Sequence, residues 1–330
     1  MNPFALIDLH LHLDGSLSLA SVRELAELAG VAVDAGDEAL LSRLQVGPDC
    51  RDLNEYLEKF AFPCSLLQTP RTLTRAVENL CRELKEQGLL YAEIRFAPQF
   101  HTDKGLTQAQ VVEAAVAGLG KDGVKANLIL CCMRGRGNRE KNLETVRAAA
   151  KFLGKGVCAL DLAGAEALFP TDDFEEEFRL ARELGVPYTI HAGEADGPES
   201  IRKALEFGAS RIGHGIRCLE DGELVAELAR RGIPLELCPT SNVNTSIFPS
   251  VKAYPMARLL EAGIKATVNT DNMMVSGVTL SSEMDQMTQL LSREQMVRLV
   301  NNSVDAVFAG EETKQWLRKM VQNRMGGNVE

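Results

Sequence analysis

The 330-residue sequence contains no apolar run approaching the roughly 20 residues a helix needs to cross a bilayer, which excludes a helical membrane span. Its first residues, MNPFALIDLHLHLDG, lack a basic stretch, a long apolar segment and a small-residue cleavage site. No secretory leader is read there, and a cytoplasmic protein is expected. Positive charge is also short: 36 Lys and Arg stand against 46 Asp and Glu, a formal charge of -10. Polyanion binding is driven by cations that neutralise phosphates, so nucleic acid is not expected as a partner, whereas a small neutral molecule is compatible. Eight cysteines in a chain without export read as reduced core thiols rather than a disulfide framework. Cys131 and Cys132, adjacent on a predicted strand, should point to opposite faces.

What remains is an average globular composition, 45% hydrophobic and 25% charged, and a regular alternation. Eight short apolar runs recur with helical segments between them: Leu6 to Leu13, Leu89 to Pro98, Val124 to Met133, Gly156 to Gly164, Pro187 to Glu194, Arg211 to Ile216, Pro234 to Ser241 and Lys265 to Asp271. Several follow a glycine suited to capping the preceding helix, as in EQGLL, ELGVP, FGAS, RRGIP and EAGIK. This pattern predicts an α/β fold, a (β/α)8 TIM-type barrel, formed as a single domain over 1–330. The stretch from Asp14 to Gly88 is too long for one crossover helix and reads as a helical insertion on the catalytic side after strand one. SREQMVRLVNNSV and EETKQWLRKMV predict extra C-terminal helices. The competing open sheet would need a glycine-rich first turn, and GRGNRE lacks the third glycine of such a loop.

Only five histidines occur, and four fall at or next to the C-terminal ends of predicted strands: His10, His12, His191 and His214. Residues two apart on a strand point the same way, so His10 and His12 can converge at the barrel mouth. His191 in HAGE and Asp271 in VNTD complete three imidazoles and a carboxylate, which suits a catalytic zinc with one position left for water. The predicted fourth strand, CALDLAGAE, has no Lys to bridge two metals, so one zinc per chain is expected. Glu194, three residues beyond His191, is read as a proton shuttle beside the metal, and as a helix-start carboxylate if taken alone. His214, flanked by glycines in IGHGI, is read as catalytic, the alternative being a buried, hydrogen-bonded imidazole. His101 in QFHTDK is expected on an exposed loop, and Arg134, Arg136, Arg139 and Lys141 on a solvated one that would meet a phosphate only with a nucleotide. Leu53, Tyr56, Leu57 and Phe60 have the spacing of one helix face, which alone more often marks core. The H-x-E and P-C-x-x-C pair of the base-editing type of zinc deaminase is absent.

DLHLHLDGSL, YLEKF, YAEIRFAPQ, LDLAG, HAGE, GHG, CPTSN and NTD occur in this order over nearly the full chain, which thereby resembles the adenosine deaminase family. The resemblance implies hydrolytic removal of the 6-amino group of adenosine, and of deoxyadenosine, to give inosine and ammonia. It also implies that His10, His12, His191 and Asp271 hold zinc, that Glu194 protonates purine N1, and that His214 helps form and place the attacking hydroxide. His12, Asp14 and Gly164 would touch substrate, Asp14 at the ribose and Gly164 through its backbone. The stripe Leu53, Tyr56, Leu57 and Phe60 would form an apolar lid. HLDG after the His pair resembles nucleoside deaminases, whereas adenine deaminases tend to HLEG and deaminases of modified AMP to HLNG. The chain departs from the family's NTDDP at Asn272 and Met273, and from LAGDE at Ala165. An Asn272 amide can still donate to purine N7 in place of the usual Asp. The alternatives are another 6-aminopurine substrate (adenine, a 5'-modified adenosine or an AMP derivative) or a non-catalytic nucleoside-binding protein on the same barrel.

Overall fold

The computed structural model describes residues 2–33, 36–120 and 122–326, so the unit expected over 1–330 extends outside the described residues at Met1, Asp34, Ala35, Lys121 and 327–330. Each of the eight apolar runs forms a strand: β1 (Leu6–His12), β2 (Leu89–Phe96), β3 (Lys125–Met133), β4 (Val157–Ala163), β5 (Thr189–Ala192), β6 (Arg211–His214), β7 (Pro234–Leu237) and β8 (Lys265–Val268). Neighbours pair in parallel in the orders β1-β2-β3-β4 and β5-β6-β7-β8. Parallel bridges from Leu160 to Tyr188 and from Leu11 to Asp271 join the two halves at both seams. The second seam is held by His12 N donating to Asp271 O at 2.7 Å and Asp271 N donating to His10 O at 2.8 Å. The ring thus closes on the residues expected to bind metal.

Between β1 and β2 lie α1 (Leu19–Ala29), α2 (Asp37–Leu44), α3 (Leu53–Leu57), α4 (Ala61–Leu66) and α5 (Pro70–Glu86), the expected helical insertion. Single helices follow the next five strands: α6 (Gln108–Ala117), α7 (Arg139–Phe152), α8 (Glu175–Glu183), α9 (Pro198–Phe207) and α10 (Gly222–Arg231). After β7 come α11 (Pro239–Asn244) and α12 (Met256–Glu261), and after β8 come α13 (Met273–Ser276), α14 (Leu280–Met287), α15 (Arg293–Ala306) and α16 (Glu311–Met325). Local chemistry sets the ends. Ser18 caps α1 by accepting from Ser21 N, and Thr69 with Thr72 forms a capping box at α5. Gly208 and Gly232 end α9 and α10 with φ of 92° and 64°, a left-handed turn that a Cβ would strain.

Helices cover the outside of the ring, so β4 is buried at every position. The inside is not purely apolar. Glu93, Arg95, Asp161, Arg211 and Glu236 are all within 1% of complete burial. Arg95 bonds Asp161 at 2.9 Å and Glu236 at 2.8 Å, while Arg211 bonds Glu93 and Glu236 at 2.6 Å each. Buried charges persist where each is paired and hydrogen-bonded, as here. Cys131 faces the inner cluster with Ala97 and Ala163, and Cys132 the outer core, so the adjacent thiols do take opposite faces. All eight cysteines are free thiols, and no helix among the described residues is long and apolar enough to cross a membrane.

Candidate active site

The strand ends bring five expected residues to one point at the mouth of the ring. His10 and His12 end β1, His191 lies on β5, His214 ends β6 and Asp271 follows β8. His214 and Asp271 hold φ of 57° and 60°, a conformation that non-glycine residues adopt at a cost and that clusters at functional positions. Asp271 Oδ1 lies 3.4 Å from His10 Nε2 and 3.3 Å from His12 Nε2. His12 Nε2 and His191 Nε2 are 3.4 Å apart. His10, His191, His214 and Asp271 can also place ligand atoms within 4.8 Å of one another, so both His12 and His214 compete for a place in the set.

The remaining ring nitrogens separate these roles. Nδ1 of His10 faces Glu236 Oε2 at 2.9 Å and Nδ1 of His191 faces Asp161 Oδ2 at 2.8 Å, which protonates Nδ1 and turns each Nε2 lone pair to the centre. Nε2 of His10 is buried without a hydrogen-bond partner. His214 is arranged the other way. Tyr254 donates to Asn242 Oδ1 at 3.0 Å, and the Asn242 amide faces His214 Nδ1 at 3.1 Å. Nδ1 is then the acceptor, and Nε2 carries the proton towards Glu194 Oε2, 3.6 Å away. Converging Nε2 atoms on the other three imidazoles, that of His10 orphaned, are what a cation would satisfy. Charge agrees: among the described residues, the ion pairs behind these rings set Glu93, Asp161 and Glu236 against Arg95 and Arg211, and Asp271 adds a further carboxylate beside the imidazoles. The residues present fit a divalent metal.

Glu194 stands beside this centre, 4% exposed, with Oε1 lacking a partner. Burial pushes its carboxyl well above the usual range, aided by the charges of Asp271 and Glu166 and opposed by Arg134. Burial also opposes ionisation of Asp271, but the close imidazoles of His10, His12 and His214 hold it below the ordinary range. Ser241 donates to Asp271 Oδ2 at 2.6 Å and fixes its plane. The loop carrying Glu194 is clamped by Glu166, whose carboxylate accepts from Gly193 N, Glu194 N, Ala195 N and Asp196 N at 2.7 to 3.1 Å.

A cavity of about 540 Å3 opens over the centre. His12, Asp14, Gly164, His191, Glu194, His214, Asp271 and Asn272 line it, and His10 lies beneath. Leu53, Tyr56, Leu57 and Phe60 form its apolar side, although the helical face they share breaks into α3 and a 3-10 turn at Glu58–Phe60. Tyr56 is buried, with its hydroxyl 2.7 Å from Ser276 Oγ of α13.

Two sequence expectations are corrected. His101 is fully buried, because the turn at Pro98–His101 folds inward and stacks its ring near Phe96. Arg134 is not solvated either: it is 5% exposed and donates to Phe169 O, Thr171 Oγ1 and His191 O. Arg136, Arg139 and Lys141 are exposed as expected. Sequence reasoning also missed Arg95, Asp161, Glu166, Glu236, Ser241 and Asn242. The available signal was charge inside apolar strands, as in AEIRFA and PLELC.

Known proteins resemble the chain throughout. The sequence model of the adenosine deaminase family matches residues 5–324. An adenosine deaminase of Haemophilus ducreyi is 48% identical, over 97% of this chain and 96% of the relative. Among solved structures, an adenine deaminase from Arthrobacter aurescens superposes with a TM-score of 0.89 at 27% identity, covering 99% of this chain and all of the other. An Arabidopsis N6-mAMP deaminase superposes with a TM-score of 0.85 at 28% identity, covering 97% and 98%.

Proposed function

The chain belongs to the adenosine deaminase family, and from that premise we propose that it hydrolyses adenosine to inosine and ammonia with one zinc per chain. The observation that carries this reading is the convergence of His10, His12, His191 and Asp271 beside a buried Glu194 carboxyl whose Oε1 has no partner. Those four residues would hold the metal, which supplies Lewis-acid activation of water at neutral pH. His214 is reserved for handling protons by the amide of Asn242, which occupies its Nδ1.

Glu194 holds a proton that ordinary carboxyls have lost, so it can donate to purine N1 as C6 is attacked. Asp14 Oδ1 is a second buried acceptor without a partner, suited to a ribose hydroxyl. Gly164 brings its backbone to the cavity wall at φ 109°, where a side chain would be strained. Asn272 offers an amide donor for N7 in place of a carboxyl. The apolar side from Leu53 to Phe60 excludes water from the reacting edge.

Structural relatives named for adenine and for N6-mAMP keep other 6-aminopurines as the second reading, at 27% and 28% identity against 48% for the adenosine deaminase. A binding protein would have no use for a raised Glu194 carboxyl beside a metal centre. Ammonia release from adenosine, deoxyadenosine, adenine, a 5'-modified adenosine and an AMP derivative tests the assignment. Adenosine should give the highest kcat/KM. A preference for adenine or a nucleotide by more than about tenfold, a difference of ~1.4 kcal/mol, would overturn it while leaving deamination standing.

A further inference from the structure

We propose that Asp14, Cys64 and His101 form a second, weaker cation site in the wall of the substrate cavity, which takes a soft divalent ion such as zinc and blocks the cavity when filled. The three residues come from separate elements: the end of the β1 turn, α4 and the Pro98–His101 turn. Their ligand atoms lie within 4.8 Å of one another, and Asp14 Oδ2 is 3.3 Å from Cys64 Sγ. His101 is completely buried, and although its ring lies near the Leu67 backbone, neither ring nitrogen makes a hydrogen bond. Asp14 Oδ1 is likewise buried and partnerless.

A buried imidazole without a partner is rare because desolvating it brings no return, and here it points into a cluster holding a carboxylate and a thiol. One nitrogen, one oxygen and one sulfur match zinc, whose bonds of about 2.0 to 2.3 Å put tetrahedral ligand atoms roughly 3.4 Å apart. The cluster needs only a modest contraction. Cys64 is also the one cysteine that is not buried, and it lines the cavity together with Asp14, so an ion has a way in and its fourth position faces the lumen. On binding, the thiol releases its proton to solvent and the thiolate bonds the ion. The site lies apart from His10, His12, His191 and Asp271, which contribute no sulfur.

The site itself needs nothing from the functional reading, whereas the blocking effect rests on substrate occupying this cavity. Zinc-loaded enzyme titrated with Cd2+ and followed by thiolate-to-cadmium absorption in the ultraviolet tests both. One cadmium-thiolate bond per chain is expected, absent in Cys64→Ser and at least about tenfold weaker in His101→Gln. Exchange at the main centre is silent in that band. Excess Zn2+ should remove the band by competition, and purine riboside, the nucleoside without a 6-amino group, should weaken Cd2+ binding. Absence of the band, its persistence in Cys64→Ser, or an unchanged affinity in His101→Gln would overturn the site. Indifference to purine riboside would overturn the blocking. A normal band in an enzyme that releases no ammonia from adenosine would support the site and defeat the functional reading instead.

Discussion

Glu194 illustrates how one side chain takes its chemistry from its surroundings. Its carboxyl is raised by burial and by the nearby charges of Asp271 and Glu166, so the proton it keeps depends on groups from two other strand ends. Glu194→Gln should retain zinc and lose on the order of 10²-fold or more in turnover, the usual scale for general acid catalysis. Metal analysis and steady-state kinetics on the same preparation check this, and loss of zinc would make Glu194 structural. Asn272 poses the opposite question. Its Oδ1 packs where a Cβ on Gly15 would collide, so the glycine and the amide fit as a pair. A neutral amide already donates to N7, but a carboxyl that this buried pocket keeps protonated would donate the stronger hydrogen bond. Asn272→Asp should raise kcat/KM for adenosine by a factor set by a hydrogen bond of about 0.5 to 1.5 kcal/mol. A flat or lower value would mean that Ala165 and Met273 have reshaped the pocket for a different purine.

Between residue and barrel, the loops and short helices after each strand decide what the cavity can do. The loop after β5 is rigid because Glu166 accepts from four successive backbone amides, a nest that no helix dipole is needed to explain. The segment at the cavity's apolar side forms its own small cluster, in which Cys50 and Tyr56 pack on Val275 of α13, separate from the main core. α14 is bound differently. It carries Glu283 inward, and burial raises that carboxyl from 4.5 to about 7. A raised acid contributes stability that is fully present below its unfolded value near 4.5 and is lost as pH rises through about 7. Thermal unfolding from pH 5 to 8 should therefore fall less steeply in Glu283→Gln, and that variant should be the more stable form above pH 7. Parallel curves for the two proteins would contradict the assignment.

Across the whole molecule, the ion pairs inside the ring connect metal, strands and stability. Arg95 joins Asp161 and Glu236, which in turn orient His191 and His10. Arg95→Met leaves Asp161 without a guanidinium partner and Glu236 with Arg211 alone, and should destabilise the fold by about 3 to 5 kcal/mol, measured by urea unfolding with zinc present. The four carboxylates around the imidazoles outnumber the two guanidinium groups, so the metal should stabilise the folded chain. Dialysed enzyme is expected to hold one tightly bound zinc, and chelation should remove activity and lower Tm in parallel. One equivalent of zinc should restore both. An unchanged Tm in the metal-free form would show that the ring is complete without a cation.

The strands, the covering helices and the convergence of His10, His12, His191 and Asp271 were legible in the sequence, because apolar period, glycine stops and strand-end position are local properties. The spacing of Leu53, Tyr56, Leu57 and Phe60 marks one helix face, but the backbone tightens into a 3-10 turn after Leu57. Local pattern could not reveal that Asp161 and Glu236 stand behind His191 and His10, or that Arg95 couples them, since each pair lies 30 to 226 positions apart in sequence. Nor could it place His101 and Arg134, whose polar neighbourhoods read as loop. Partnering of buried charge is set by which strands the closed ring makes adjacent. Periodicity along one chain fixes which face a side chain takes, and only the tertiary structure decides what waits for it there.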